Sequence, residues 1–301
     1  MDLKFDLENP VPEIQQVKFG GAHFSVLRLD TIHPEISGNK WYKLKYNLLE
    51  AKKRGCSGIL TFGGAFSNHI HALAYAANKF GMESIGMIRG ELTEPINPTL
   101  KYAKSKGMEM HYVSRSQYRL KTSENYLNSL KEQFGDFYLV PEGGTNLLAV
   151  RGAAEILKGI PAFEIVCVAV GTGGTLTGLI SGGSEETNFH GFPVVRDGSL
   201  SGIVRDLLVQ CGSQKTNWQL EQKYHFGGYA KFNDTLIDFI NAFKASTGIP
   251  LDPVYTGKMM FGVIDMIKEG KFGSAPNVLV IHTGGLQGIS GFNKRFGNLI
   301  D

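Results

Sequence analysis

Two short segments carry the residues best equipped for chemistry. Ser37-Gly38-Asn39-Lys40-Trp41-Tyr42-Lys43 sets a lysine directly after glycine and asparagine, and Thr61-Phe62-Gly63-Gly64-Ala65-Phe66-Ser67-Asn68-His69 sets serine, asparagine and histidine after a glycine pair. Lysine forms imines with aldehydes, and that chemistry needs backbone that allows close approach. The second segment follows the apolar run Gly58-Ile59-Leu60-Thr61-Phe62 and leads into a helical pattern. Its polar residues therefore stand where a strand ends and a helix opens, and the free N–H groups of a helix start attract anions.

A third segment, Val170-Gly171-Thr172-Gly173-Gly174-Thr175-Leu176-Thr177-Gly178, has the glycines and hydroxyls of an anion cradle. A dinucleotide fingerprint would need glycine where Leu176 stands and an acid at the end of the next strand, where Val194-Val195-Arg196 is found. A nucleotide-triphosphate loop would need a closing Gly-Lys-Ser/Thr, which is missing. A single phosphate, as in pyridoxal phosphate, is what remains. Taken alone, the loop reads as a glycine-rich turn; coupled to Lys40 it reads as a phosphate site.

Plainer roles stand beside each of these. Lys40 alone would be a solvated surface lysine, Ser67 a helix cap and Asn68 a turn residue. His69 is balanced between a first-turn residue with no task and a site residue. Asp252-Pro253-Val254-Tyr255-Thr256-Gly257-Lys258 precedes a helical run from Met259 to Ile267, so capping accounts for Thr256 and packing for Tyr255.

Elements to position these residues are legible in the hydropathy pattern. Apolar strands at about 58–62, 84–88, 109–113 and 137–140 alternate with helical stretches at about 69–80, 97–106 and 116–133, which makes a run of βα units and a parallel sheet. A second run starts at Ile165-Val166-Cys167-Val168-Ala169-Val170 and ends at Asn277-Val278-Leu279-Val280-Ile281-His282, both apolar enough to be covered by helices on two faces. Glycine pairs at 63–64, 143–144, 173–174 and 284–285 follow strands, so they are expected to converge on one cleft at the strands' carboxyl ends. Val17 to Leu29 looks strand-like. The layout expected is a smaller α/β domain, 46–146, inserted into a larger one, 1–45 plus 147–301.

Bulk properties narrow the field. The chain has 301 residues, room for roughly two domains. A formal charge of +3 with dispersed basic residues does not imply nucleic acid as a partner. Cys56, Cys167 and Cys211 are odd in number and far apart, so they read as reduced thiols, and no metal is implied. Met1-Asp2-Leu3-Lys4-Phe5-Asp6 carries acid and no apolar stretch, which argues against a leader or membrane anchor and for the cytoplasm.

Five ordered motifs spanning nearly the whole chain resemble one family: Gly38-Asn39-Lys40 with Lys43, Gly63-Gly64 to Ser67-Asn68-His69, Thr172-Gly173-Gly174-Thr175, Asp252-Pro253-Val254-Tyr255, and His282-Thr283-Gly284-Gly285. The family is that of the fold type II pyridoxal-phosphate lyases comprising 1-aminocyclopropane-1-carboxylate (ACC) deaminase and D-cysteine desulfhydrase. The resemblance implies an α/β fold of two domains with open, mostly parallel twisted sheets and the cofactor in the cleft between them. It implies that Lys40 carries pyridoxal 5'-phosphate as an imine, with Lys43 near the phosphate and Thr172, Gly173, Gly174 and Thr175 binding it. Asn68 would meet the ring oxygen, and Ser67, Asn68 and His69 the substrate carboxylate, with Ser67 also available for proton transfer. Tyr255, and on a looser match Tyr229, would face the substrate.

Thr256 stands where ACC deaminases place a glutamate beside the pyridine nitrogen. A neutral hydroxyl cannot hold that nitrogen protonated as a carboxylate does, which weakens the electron sink and suits elimination of a good leaving group. Together with His69 after Ser67-Asn68, this makes the chain more similar to D-cysteine desulfhydrase. The resemblance also implies a small amino-acid substrate, a homodimer and no membrane partner. ACC deaminase, a lyase for another D-amino acid and a non-catalytic pyridoxal-phosphate or phosphate-ligand binder remain open alternatives.

Overall fold

In the computed structural model, residues 10–301 are described apart from Thr93 and Ala275. The N-terminal stretch Met1–Asp6 read above lies outside them. Two sheets organise the chain. Strands β3 (Gly58–Gly64), β4 (Glu83–Arg89), β5 (Glu109–Val113) and β6 (Phe137–Val140) pair parallel in the order β5-β4-β3-β6. The other sheet holds β1 (Ile14–Phe19), β2 (Ala22–Arg28), β7 (Ile165–Val170), β8 (Asn188–Pro193), β9 (Trp218–Leu220) and β10 (Val278–His282). Its order is β1-β2-β10-β7-β8-β9, and only the β1/β2 pair is antiparallel.

Strand β7 shows why these sheets need two covering layers. All six of its residues are buried, and the period of two sends alternate side chains to opposite faces. Cys167 and Ala169 meet Leu236, Ile240 and Phe243 of helix α9 (Asp234–Thr247) and Met259, Met260 and Val263 of α10 (Thr256–Lys268). Val166, Val168 and Val170 meet Leu176, Leu179 and Ile180 of α7 (Gly174–Gly182) and Leu200, Val204 and Leu208 of α8 (Leu200–Gln210). The smaller sheet is covered likewise. Ile59 and Ile88 pack with Leu44 and Leu48 of α1 (Asn39–Lys53) and Ile70 and Leu73 of α2 (Asn68–Lys79). Leu60, Phe62 and Met87 pack on the other face with Tyr118 and Leu130. Each such aliphatic side chain contributes about 1.5–3 kcal/mol on burial.

Helix α1 belongs to both cores. Its Tyr42 lies in the cluster under the six-stranded sheet, whereas Leu44, Leu48 and Ala51 lie in that under the four-stranded one. The position between residues 45 and 46 therefore falls inside a helix. Helices α3 (Pro98–Ser105), α6 (Leu147–Ala153) and α11 (Gly288–Phe296) complete the layers.

Three details differ from the pattern in the sequence. The strand-like segment from Val17 to Leu29 is a hairpin, β1 and β2, folded at Gly20 and Gly21, whose φ values are +58° and +84°. The helical stretch 116–133 is two helices, α4 (Arg115–Arg119) and α5 (Glu124–Phe134). Of the four residues between them, only Leu120 is apolar and it is left 49% exposed, and Ser123 is extended, with ψ 126°. The strand after the glycine-rich loop ends at Pro193, before Val194-Val195-Arg196.

Candidate active site

The carboxyl ends of β3, β7 and β10 and the turn after β6 open on one cleft of about 430 Å³. It is lined by Lys40, Lys43, Ser67, Asn68, His69, Thr172, Gly173, Gly174, Thr175, Tyr229 and Tyr255, and by Thr283, Gly284 and Gly285, so residues from all five motifs meet there. Thr256 is not among the lining residues.

Lys40 sits in the first turn of α1, and the backbone before it explains its neighbours. Gly38 has φ +72°, and a Cβ there would lie 1.9 Å from the Thr283 carbonyl oxygen. Only glycine lets the β10 loop cross so close to the helix start. The Gly38 N–H donates to Leu29 O at 2.7 Å, fixing the turn. Burial lowers the Lys40 amine to about 8, because a desolvated ammonium is disfavoured.

Lys43, one turn on, is 2% exposed and donates to the Gly143 carbonyl at 2.6 Å and to Thr145 Oγ1 at 2.9 Å. Burial first, then the charge of Lys40, push its amine well below the usual lysine range. A Cβ on Gly174 would stand 3.3 Å from the Lys43 Nζ, so this lysine lies beside the glycine-rich loop. Gly173, left-handed at φ +85°, caps α7 and turns the first-turn N–H groups toward the cleft. Thr172 Oγ1 lies 2.5 Å from Thr145 Oγ1, and Thr175 Oγ1 accepts from Asn39 Nδ2 at 2.7 Å.

Ser67 does cap α2, its hydroxyl accepting from Ile70 N at 3.3 Å, and it also lines the cleft. Asn68 Oδ1 accepts from Gln287 Nε2 at 2.8 Å. Its Nδ2 lies against Gly285, where a Cβ would come within 2.7 Å. His69 is 2% exposed, and its Nε2 is 2.8 Å from Thr61 Oγ1. The single Thr61 hydroxyl proton goes to Val140 O at 2.7 Å, so His69 Nε2 carries the hydrogen and Nδ1 is a bare acceptor. That Nδ1 is buried without a partner. Burial, then Lys40 and Lys43, hold the ring well below its ordinary range and therefore neutral.

Tyr255 and Tyr229 meet edge to face, centroids 6.2 Å apart. Burial, with the Tyr229 phenol behind it, raises the Tyr255 phenol well above its usual value, so it stays protonated. Tyr229 is 43% exposed and forms the rim.

Thr256 does not cap α10. The N-cap position is Tyr255, and the carboxylate of Asp252, three residues earlier, accepts from the N–H groups of Val254, Tyr255 and Thr256 at 2.8–2.9 Å. Thr256 is fully buried; its hydroxyl donates to Asp252 Oδ2 at 2.7 Å and accepts from Asp252 N at 2.9 Å.

Sequence reasoning missed Thr145, Gln287, Arg89 and Glu142, all of which line the cleft or hold a lining residue. The glycine pair at 143–144 pointed to the turn, and the hydroxyl next to it was the available signal for Thr145. Nothing local marks Gln287, which acts across 219 residues of chain.

This arrangement fits an aldehyde cofactor bearing one phosphate. An amine with a lowered pKa faces a cradle of backbone N–H groups, two threonines and a buried lysine. Gly174 and Gly285 leave surfaces that a single methyl would fill.

Comparison with known proteins agrees. A family model described as pyridoxal-phosphate dependent enzyme matches residues 14–284. A Pyrococcus horikoshii protein provisionally named 1-aminocyclopropane-1-carboxylate deaminase is 30% identical over 295 residues, covering 93% of this chain and 90% of that protein. The bifunctional D-cysteine desulfhydrase/1-aminocyclopropane-1-carboxylate deaminase of Arabidopsis thaliana, a mitochondrial protein, is 31% identical, covering 89% of this chain and 74% of its own length. A crystal structure of an ACC deaminase homologue superimposes with a TM-score of 0.81 at 28% identity, covering 98% of each chain. The chain belongs to the family of pyridoxal-phosphate dependent enzymes.

Proposed function

We propose that the chain is a lyase that eliminates a β-substituent from a small amino acid, with D-cysteine as the substrate, giving sulfide and an aminoacrylate that water hydrolyses to pyruvate and ammonia. One observation carries the reading: Lys40, with an amine near neutrality at about 8, shares a cleft with a phosphate cradle and with an anion-seeking helix start at Ser67. Bound there, pyridoxal phosphate supplies an aldehyde that captures amines and a ring that draws electrons from the α-carbon. Lys43, Thr172, Thr175 and the α7 N–H groups would hold its phosphate, and Asn68 its ring oxygen.

The protein's own groups do the rest. Ser67 and the first N–H groups of α2 seat the substrate carboxylate. The Lys40 amine, cheaply deprotonated because it is buried, takes the α-proton. Tyr255, kept protonated, offers its phenolic hydrogen to the departing sulfur. His69, kept neutral, adds no charge to the carboxylate seat. Thr256 is buried outside the cleft lining with its proton on Asp252, and the Asp252 carboxylate is taken up by that hydroxyl and three amide N–H groups, so neither offers a free carboxylate of the kind ACC deaminases place at this position. That electronic setting favours a thiol leaving group over the opening of a strained ring.

ACC deamination is the second reading, supported by the names of the relatives. Absorbance spectra with and without borohydride, followed by keto-acid and sulfide assays on D-cysteine, L-cysteine, D-serine and ACC, separate the two. Sulfide from D-cysteine alone is expected. Keto acid from ACC would overturn the argument from Thr256, and a coloured protein that turns over none of the four would be a binder.

The reading extends to a homodimer in the cytoplasm and to domains at 1–45 plus 147–301 and 46–146. Light scattering, cell fractionation and limited proteolysis test these in turn. No helix among the described residues is long and apolar enough to cross a membrane.

A further inference from the structure

Among the described residues, two besides glycine have positive φ, Phe226 at 51° and Ala230 at 54°, and both lie in one loop. Gly227 and Gly228 between them are at 89° and 116°. Four of the five residues from 226 to 230 are thus left-handed, and the fifth is Tyr229. Side chains with a Cβ disfavour that region, so such a loop persists only where its surroundings over-determine it.

The surroundings are supplied by Lys258. It is 1% exposed, and its Nζ donates to His225 O at 2.9 Å and to Gly228 O at 2.7 Å. These two carbonyls bracket the loop's turn. The Gly228 N–H also reaches His225 O at 3.0 Å, Gly227 N–H reaches His225 Nδ1 at 2.9 Å, and Lys231 N–H reaches Gly228 O at 3.1 Å. Tyr255 is the N-cap residue of α10, and Lys258 lies in its first turn, three residues on. The start of α10 thus carries one tyrosine of the cleft and the lysine that grips the loop bearing the other. Nothing in cofactor binding uses Lys258.

We propose that Lys258 is a positioning residue: it pins the 225–230 loop so that Tyr229 is held edge-on against Tyr255 as a fixed wall of the substrate pocket. The inference rests on the lyase reading for the role of Tyr229, and its test includes a readout that needs no turnover.

Hydrogen exchange of the cofactor-loaded protein is compared with that of Lys258→Met, which keeps the length of the side chain and loses its donors. Amides of 225–231 are expected to exchange about tenfold faster while α9 and the rest of α10 keep their protection. On the preferred substrate, Lys258→Met is expected to lower kcat/KM by about 30-fold with the cofactor spectrum unchanged. In a Tyr229→Ala background the same change is expected to cost less than about threefold, because the ring it positions is gone. Unaltered exchange at 225–231, or equal losses in the two backgrounds, overturns the proposal. If Lys258→Met does not fold, Lys258→Gln, which retains a donor for one carbonyl, is measured by the same criteria. A wild-type chain inert on every substrate would remove the lyase reading, and the clamp would still stand or fall by exchange.

Discussion

The Lys40 amine offers the most quantitative test of the site. Its pKa is lowered from 10.5 to about 8, with burial as the cause. At pH 7 an amine of pKa 8 is about 9% neutral and one of pKa 10.5 about 0.03%, a ratio of roughly 300. Only the neutral form attacks an electrophile. Competitive labelling of the cofactor-stripped protein with trace acetic anhydride, read by mass spectrometry and referenced to a free lysine peptide, follows that form directly. Labelling of Lys40 should rise about tenfold per pH unit and level off near pH 8, whereas the peptide climbs for a further two units or so. A Lys40 midpoint at the peptide's value would refute the reasoning, since burial of the amine would then have no consequence. The linkage has a definite sign. The folded amine has the lower pKa, so between about 8 and 10.5 the unfolded chain binds more protons and the Lys40 contribution to stability rises with pH. Below about 8 both states are protonated and the cost of burying the charge is borne in full.

Other expectations follow from single contacts. Thr145→Val removes one acceptor from Lys43 and the partner of Thr172; cofactor affinity in a fluorescence titration should fall roughly tenfold, about 1.4 kcal/mol, and a change under about twofold would show that the turn does not support the cradle. Gly38→Ala adds a Cβ 1.9 Å from Thr283 O at φ +72°, and should cost about 3 kcal/mol or more, lowering the Tm by roughly 6 °C or more in a thermal melt; an unchanged melt would mean that the loop yields freely. Asp252→Ala removes the carboxylate that accepts from three amide N–H groups ahead of and at the α10 start, for which about 2–4 kcal/mol and a Tm lower by roughly 5–10 °C are expected, with retention of wild-type stability as the contrary result.

Much of this was legible before any coordinates. Strands β3, β4, β6, β7 and β10 stand out because an apolar run covered on both faces has few polar positions to blur it, and β5, Glu109-Met110-His111-Tyr112-Val113, was found from its place in the βα alternation. The βα alternation then dictates a parallel sheet and a ligand cleft at its carboxyl edge. Strand β9 was hidden and the end of β8 misplaced for the opposite reason: Asn188-Phe189-His190-Gly191-Phe192-Pro193 mixes a histidine, a glycine and a proline into the strand, and the apolar pair Val194-Val195 lies just beyond its end. The site residues with local signatures, Lys40, Ser67 and the 172–175 loop, could be named from glycine and capping chemistry alone. Thr256 could not be placed that way, because its hydroxyl is engaged on both sides by Asp252, four residues earlier. The Gln287 contact to Asn68 and the Lys258 grip on the Tyr229 loop are non-local, and a one-dimensional pattern holds no trace of them.

The double allegiance of α1 has a mechanical consequence. The chain crosses between the two sheets along α1 and back along α6, and these crossings lie flush: a Cβ on Gly152 would fall 1.9 Å from the Tyr42 carbonyl oxygen. Lys45 and Tyr46 reach Glu155, and Arg151 covers the Tyr46 ring at 4.1 Å. Covalent continuity between the halves is thus confined to one seam. Away from it, the Gln287–Asn68 bond ties the β10 loop to the β3 loop with no chain running between them. Tyr102 bonds Glu35 and Thr145 meets Thr172 across the same divide, so the halves are held by side-chain contacts on the side away from the seam, and Lys40 stands on the helix shared by both cores.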